Sequence, residues 1–304
     1  MPKIQVIDFS LFTQGNVQDK QAVIQQIYEA CHQTGFMYLQ NIDICPKLIN
    51  RVFEQNKSFF NLPLATKQQF AWNNELSNQG YVGIAKENLN PEQPGDFKEA
   101  FNITGFENGS IPSLFDASIP EFYQACTKLG NQILVAIALS LKLPLDFFTN
   151  HHNQDNHTMR SLCYPVPTNS SNNKLGAGEH SDYGSITLLF QDEISGLEIQ
   201  ETSGEWIAAP VIPGTVIVNT GDLMQRWTND LFPSTKHRVV IPPDIQKPRY
   251  SIAFFCHPNY DTVILPLGVA DAIASLPNCT KHKPAAYPPV LAGEYLLQRL
   301  KATY

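Results

Sequence analysis

Residues 178–190 read GEHSDYGSITLLF. Its second half, SITLLF, is a short apolar run with a β-branched residue and a glycine just ahead of it, and it reads as a strand. Runs of the same kind recur on both sides, from about residue 158 to about 265: SLCYPV, GLEIQE, GEWIAA, TVIVNT, HRVVIP and YSIAFFCH, punctuated by Gly, Pro, Asn and Asp. Many short strands at close spacing point to a β-sandwich or barrel.

Outward from this core the pattern changes. Residues 4–9 (IQVIDF) alternate like a strand, and residues 36–41 (FMYLQN) read as another. Between them, residues 19–33 carry Val23, Ile27 and Ala30 on one helical face, with Gly35 where a left-handed cap residue is wanted. Residues 45–60 form a second helical pattern that Pro63 closes off. Residues 73–115 are rich in Asn, Gly, Pro and Glu and read as irregular with short strands. The longest helical pattern is 119–142, with Tyr123, Leu129, Ile133, Ala136, Ile137 and Ser140 near one side and a second half that is apolar almost all round. Such a helix is buried against something large, such as a sheet. A last helix covers 292–301. No composition shift marks a linker. The expectation is a single domain over 1–304, mainly β with flanking helices: a helical and mixed part over 1–157, a β core over 158–265 and a C-terminal segment with a helix over 266–304.

The net charge of −7 and the absence of a basic patch argue against a nucleic-acid partner. The longest apolar run, Ile133 to Leu139, is far too short to span a bilayer. The six cysteines contain no C-x-x-C pair and read as free thiols in a reducing compartment. No basic stretch followed by a long apolar run opens the chain, so a signal peptide is not indicated. A cytoplasmic monomer is the expectation.

In the opening stretch, His180 and Asp182 are separated by one residue. On an extended backbone, residues i and i+2 point the same way, so an imidazole and a carboxylate converge. His237 starts another strand pattern about four short strands later, far enough on for the chain to return beside the pair. Two histidines and one carboxylate on one face of an octahedral metal leave three positions open, which suits non-haem iron(II). An isolated H-x-D is a weak signal, and a lone histidine is more often solvated or a satisfied core residue than a ligand. His151, His152 and His157 sit in an Asn-rich turn and read as solvated; His32, His257 and His282 have no partner pattern.

Further on, KPRYSIAFFCHP alternates like a strand, so Arg249, Ser251, Ala253 and Phe255 share a face. A guanidinium pointing into a β core is costly unless paired, and no acidic residue of the neighbouring strands is an obvious partner. Its planar fork suits an external carboxylate such as the distal end of 2-oxoglutarate, with Ser251 adding a hydroxyl. On residue type alone, a solvent-facing Arg249 after the Lys247-Pro248 loop is equally consistent.

Taken together, these segments resemble the iron(II)- and 2-oxoglutarate-dependent oxygenases related to isopenicillin N synthase. The resemblance runs along nearly the whole chain: VIDFS (6–10), ACHQTGFMYLQN (30–41), FFNLPLATKQ (59–68), DFKEAFN (96–102), His180-Ser181-Asp182, NTGD (219–222), Trp227-Thr228-Asn229, TKHRV (235–239), Arg249-Tyr250-Ser251 and AGEYLLQRLKATY (292–304). It implies a double-stranded β-helix, or jelly roll, with helices packed outside. It also implies iron held by His180, Asp182 and His237, and 2-oxoglutarate held by Arg249 and Ser251, with Tyr164 of RSLCYP on the same carboxylate. Phe255 would line the substrate pocket. One position departs from the pattern: Leu162 stands where many plant members carry asparagine.

The implied activity couples oxidative decarboxylation of 2-oxoglutarate to succinate and CO2 with hydroxylation or a related oxidation of a small molecule. O2 is the second cosubstrate and ascorbate a supporting reductant. No side-chain nucleophile motif such as G-x-S-x-G is present, and none is needed. The alternatives are a family oxidase that does not consume 2-oxoglutarate, and a non-catalytic jelly-roll metal-binding protein or a zinc hydrolase. Succinate formation separates them.

Overall fold

The structure is a computed structural model that describes residues 4–87, 89, 95–105, 114–167, 175–242, 245–267 and 284–303. His282, Cys279 and part of the 73–115 segment lie outside the described residues.

The strands run in chain order as β1 (Gln5–Asp8), β2 (Phe36–Gln40), β3 (Gly80–Val82), β4 (Glu99–Thr104), β5 (Thr158–Tyr164), β6 (Leu175–His180), β7 (Ile186–Gln191), β8 (Leu197–Gln200), β9 (Trp206–Ala208), β10 (Thr215–Thr220), β11 (His237–Val240) and β12 (Arg249–Cys256). Eight form a major sheet in the order β1-β2-β10-β7-β12-β5-β4-β3, and four form a minor sheet in the order β6-β11-β8-β9. The two sheets together make the expected jelly roll. β1 and β2 pair in parallel, while every other named pair of the major sheet is antiparallel. The N-terminal part thus extends both edges of the major sheet, with β1 and β2 on one side and β3 and β4 on the other.

Period-two alternation sorts the side chains of the major sheet between two cores. On β12, Tyr250, Ile252, Phe254 and Cys256 face the helices, as do Met159 and Cys163 on β5 and Ile186, Leu188 and Phe190 on β7. The alternate residues, including Leu162, Tyr164, Leu189, Ala253 and Phe255, face the minor sheet. The Ser118–Ser140 helix is the buried one that its composition requires. Phe122 meets Phe190 edge-on with ring centroids 5.0 Å apart, and Tyr123 meets Phe254 at the same distance. Gly130 allows the close approach to β12, since a Cβ there would lie 2.7 Å from the Cys256 sulfur.

The Val17–Gln33 helix begins two residues earlier than the sequence pattern indicates. Asn16 accepts hydrogen bonds from the Gln18 and Asp19 amides, and the Asp19 carboxylate accepts from the Asn16 amide, so a capping box fixes the start. Gly35 follows the helix with φ of 68°, the left-handed conformation anticipated for it. Val23, Ile27 and Ala30 are buried.

One expectation fails. His152 and His157, read as solvated, are each 1% exposed. His152 bonds through its two ring nitrogens to the Phe148 carbonyl (2.7 Å) and the Ser185 hydroxyl (2.9 Å), and its ring stacks near Trp227. His157 accepts from the His257 amide at 3.3 Å. Burial pushes both rings down to about 3, so they are neutral core residues. Local composition suggested a wet turn; tertiary packing beneath the Ser118–Ser140 helix closes over it.

Candidate metal centre

β6 ends at His180, and β11 begins at His237. The two strands are antiparallel neighbours, and their register sets His180 directly opposite His237, with ring centroids 4.3 Å apart. Asp182 lies just beyond the end of β6 and points back at the pair: its Oδ1 is 3.6 Å from His237 Nε2. One ligand atom from each of the three residues falls within 4.8 Å of the other two, the only such group of His, Cys, Asp or Glu among the described residues.

Their other polar atoms are committed elsewhere. His180 Nδ1 is 2.7 Å from the Gly178 carbonyl and His237 Nδ1 is 3.1 Å from the Thr235 carbonyl. A carbonyl can only accept, so each Nδ1 carries a proton, and each ring, when neutral, presents its lone pair at Nε2. Asp182 Oδ2 accepts from Asn219 Nδ2 (2.7 Å) and Thr187 Oγ1 (2.6 Å), which leaves Oδ1 toward the histidines. This supporting shell is the kind that orients metal ligands. Burial opposes a charged Asp182, but His237 and Asn219 hold its carboxyl well below the usual range. Burial, with His237 alongside, pushes His180 down to about 3. For His237, burial acts downward and Asp182 outweighs it, so its proton is held more tightly than usual. Two nitrogen donors and one carboxylate oxygen converging from one side fit a dication.

A cavity of about 120 Å³ opens onto these residues and is also lined by Arg249, Ser251 and Phe255. Arg249 is 1% exposed, so the solvent-facing alternative is excluded. Nε donates to the Ile194 carbonyl (3.1 Å), Nη2 to Gln191 Oε1 (2.8 Å) and Nη1 to Ser251 Oγ (3.4 Å). All three partners are neutral, and among the described residues no carboxylate lies within ion-pair distance of it. Tyr164 sits opposite Arg249 in the β5–β12 register, with the guanidinium carbon 4.9 Å from its ring centroid. The Tyr164 hydroxyl bonds to no other described residue. Phe255 shares the inward face and lies nearly parallel to His257, at a centroid distance of 6.1 Å and an interplanar angle of 19°.

Residues 151–258 match the model of the 2OG-Fe(II) oxygenase superfamily, and residues 4–132 match that of the non-haem dioxygenase N-terminal region, described from morphine synthesis. The 2-oxoglutarate-Fe(II) type oxidoreductase hxnY of Emericella nidulans is 32% identical, over 98% of this chain and 90% of the relative. The chain belongs to the iron(II)- and 2-oxoglutarate-dependent oxygenases. Homoarginine-6-hydroxylase 2-ODD-233 of Oryza sativa subsp. japonica is 31% identical over 95% of this chain and 92% of that one. A full-length Neurospora crassa protein solved in complex with alpha-KG and thymine superposes with a TM-score of 0.86 at 33% identity, covering 99% of this chain and 97% of the other. The protein is thus an oxidoreductase that uses Fe(II), 2-oxoglutarate and O2 on a small molecule, and neither the oxidase nor the non-catalytic alternative is favoured. No helix among the described residues is long and apolar enough to cross a membrane.

Sequence reading missed several residues of this cavity: Thr187 and Asn219 behind Asp182, and Asn78, Glu87, Lys98, Arg160 and His257 along the wall. Asn219 lies within the NTGD segment and Lys98 within DFKEAFN, so both stretches were visible without their roles. Arg160 shares the inward face of β5 with Leu162 and Tyr164, which alternation alone could have shown.

Proposed function

We propose that one domain, 1–304, holds iron(II) through His180 Nε2, Asp182 Oδ1 and His237 Nε2, and binds the distal carboxylate of 2-oxoglutarate through Arg249, Ser251 and Tyr164. The observation that carries this reading is the commitment of every competing atom. Both histidine Nδ1–H groups and Asp182 Oδ2 are spent on the protein, which leaves three lone-pair atoms facing one point. A single domain is supported by the major sheet, which interleaves β1–β4 with the later strands.

When bound, iron and 2-oxoglutarate would, with O2 as the oxidant, supply the chemistry: decarboxylation of 2-oxoglutarate to succinate and CO2, coupled to oxidation of a substrate C–H bond. The chain's own residues position and shield. Arg249 brings a buried positive charge with only neutral partners, so a carboxylate in its fork gains a charge-assisted, bidentate contact in a partly dry site. Ser251 Oγ already accepts from Arg249, so its hydrogen is free to donate in the same direction, and the Tyr164 hydroxyl adds a second donor. The inner walls, Leu162, Leu189, Val239 and Ala253 among them, keep water from the cosubstrate. Phe255 and the described cavity-lining residues of the 73–115 segment, Asn78, Glu87, Leu89 and Lys98, shape the substrate end.

The enzyme reads as a cytoplasmic monomer without a nucleic-acid partner. The net charge of −7 supports the last point, and the free thiols of the described cysteines fit a reducing compartment.

His180→Ala, Asp182→Ala and His237→Ala should each abolish iron binding and substrate-linked succinate release, because the loss of one of three ligands destroys the facial arrangement. Asp182→Glu should also be poor, since the longer arm displaces the carboxylate from Asn219 and Thr187. Iron content and succinate yield are measured on each purified variant. Near-normal iron binding and turnover in any alanine variant removes that residue from the ligand set.

A further inference from the structure

The cavity is bordered by three charged side chains, Glu87, Lys98 and Arg160, that neither the metal nor the cosubstrate requires, and Asp96 pairs with Lys98 behind them. Arg160 points inward from β5, Asp96 and Lys98 approach along the segment entering β4, and Glu87 comes from the chain following β3. None is more than 9% exposed. Lys98 Nζ lies 2.6 Å from Asp96 Oδ2 and 3.1 Å from Glu87 Oε2, and Arg160 donates to that same Glu87 oxygen. Burial opposes the charged forms of Glu87 and Lys98. For Glu87 it is outweighed by Arg160 and Lys98, which bring the carboxyl down to about 2; for Lys98 it is outweighed by Glu87 and Asp96, which keep the ammonium protonated. Among the described residues, two cations therefore stand against two carboxylates.

The cluster is built onto the metal site. The other Asp96 oxygen accepts the Gly178 amide at 2.9 Å, and the Gly178 carbonyl in turn orients His180. Asn78 stands on the same cavity wall. Its Oδ1 accepts from Trp72 Nε1 at 3.2 Å and from Asn102 Nδ2 at 2.9 Å. An indole N–H can only donate, so this contact fixes which end of the carboxamide faces Trp72. With its oxygen committed to both partners, Asn78 keeps its NH2 group as a donor uncommitted among the described residues.

We propose that the Glu87–Lys98–Arg160–Asp96 cluster and Asn78 form the substrate-recognition surface, and that the substrate is a small, uncharged polar molecule offering a carbonyl-type acceptor to Asn78. This rests on the site assignment above. A substrate carboxylate would have to take Arg160 or Lys98 from a carboxylate already bonded to it, leaving Glu87 or Asp96 buried and unpaired. A substrate ammonium meets the converse problem with Lys98. Breaking a buried pair in this way is strongly unfavourable, whereas a neutral polar ligand bonds to the cluster without disturbing its balance. The same cavity must also hold the cosubstrate, which favours a compact ring or short chain as the ligand.

The test is anaerobic calorimetry on the full chain loaded with iron(II) and 2-oxoglutarate, with 2-oxoglutarate binding measured first. The panel is a cyclic imide such as a pyrimidinedione, a shape-matched carboxylic acid, a shape-matched amine and a small amino acid. The neutral ligand should bind on the order of 100-fold more tightly than each charged one. Glu87→Gln leaves one excess positive charge and should shift the ratio toward the acid by about tenfold; Lys98→Met leaves one excess negative charge and should shift it toward the amine. If a variant does not fold, as judged by circular dichroism, the ratio in the unmodified protein decides. Equal or tighter binding of a charged ligand by protein that binds 2-oxoglutarate normally overturns this inference and leaves the site assignment standing, as do folded variants with unchanged ratios. Failure to bind 2-oxoglutarate at all overturns the site assignment itself.

Discussion

Arg249 is a buried guanidinium whose three hydrogen-bond partners are all neutral. A stabilised protein core would match that charge with a carboxylate or replace it with an apolar side chain, so its retention implies a charged ligand. Arg249→Ala should weaken 2-oxoglutarate binding by about 2–5 kcal/mol while leaving iron binding nearly intact. Arg249→Lys should restore only part of the loss, because an ammonium cannot reproduce the planar fork. Ser251→Ala and Tyr164→Phe each remove one neutral donor to a charged acceptor and should cost less, about 1.5–3 kcal/mol. Titrating each purified variant with 2-oxoglutarate at saturating iron reads all four. If Arg249→Ala binds the cosubstrate as tightly as the unmodified protein, the guanidinium serves another purpose.

At the scale of elements, the site depends on strand register more than on any loop. His180 and His237 meet because β6 and β11 pair with those two residues opposite, and Asp182 joins them from just past the end of β6. The major sheet is held in place from behind by the Ser118–Ser140 helix, where Phe122 is fully buried against Phe190. Phe122→Ala should therefore destabilise the fold by about 3–5 kcal/mol. Asn16→Ala removes an exposed helix cap remote from the cavity and should cost about 1 kcal/mol. Chemical denaturation compares the two. The account of helix packing fails if the losses are equal, or if Asn16→Ala is the more damaging.

Over the whole molecule, what the sequence made legible was short-range and periodic. The strand runs, the buried helix, the H-x-D pair and the inward face carrying Arg249, Ser251 and Phe255 all follow from spacings of two or three to four residues. Spacing allowed His237 to return beside the pair, and family resemblance assigned it there, because spacing alone could not say which strands are neighbours. Contacts that exist only after folding were not legible. Asn219 and Thr187 reach Asp182 from other strands, and Glu87 meets Arg160 across 73 positions of sequence. Each member of that cluster, taken singly, has the composition of a surface residue, and only mutual pairing makes its burial tolerable. His152 and His157 were misread for the same reason: an Asn-rich neighbourhood describes the local chain, not what packs over it. The central claim is that the folded chain brings three ligand atoms and one guanidinium to the walls of a single cavity. An anaerobic crystal structure with iron(II) and 2-oxoglutarate, with data collected at the iron absorption edge, tests it most directly. The account predicts one metal peak bonded to His180 Nε2, Asp182 Oδ1 and His237 Nε2, with the distal carboxylate of 2-oxoglutarate in the fork of Arg249. A metal peak away from these three atoms, or a cosubstrate carboxylate that does not touch Arg249, would contradict it.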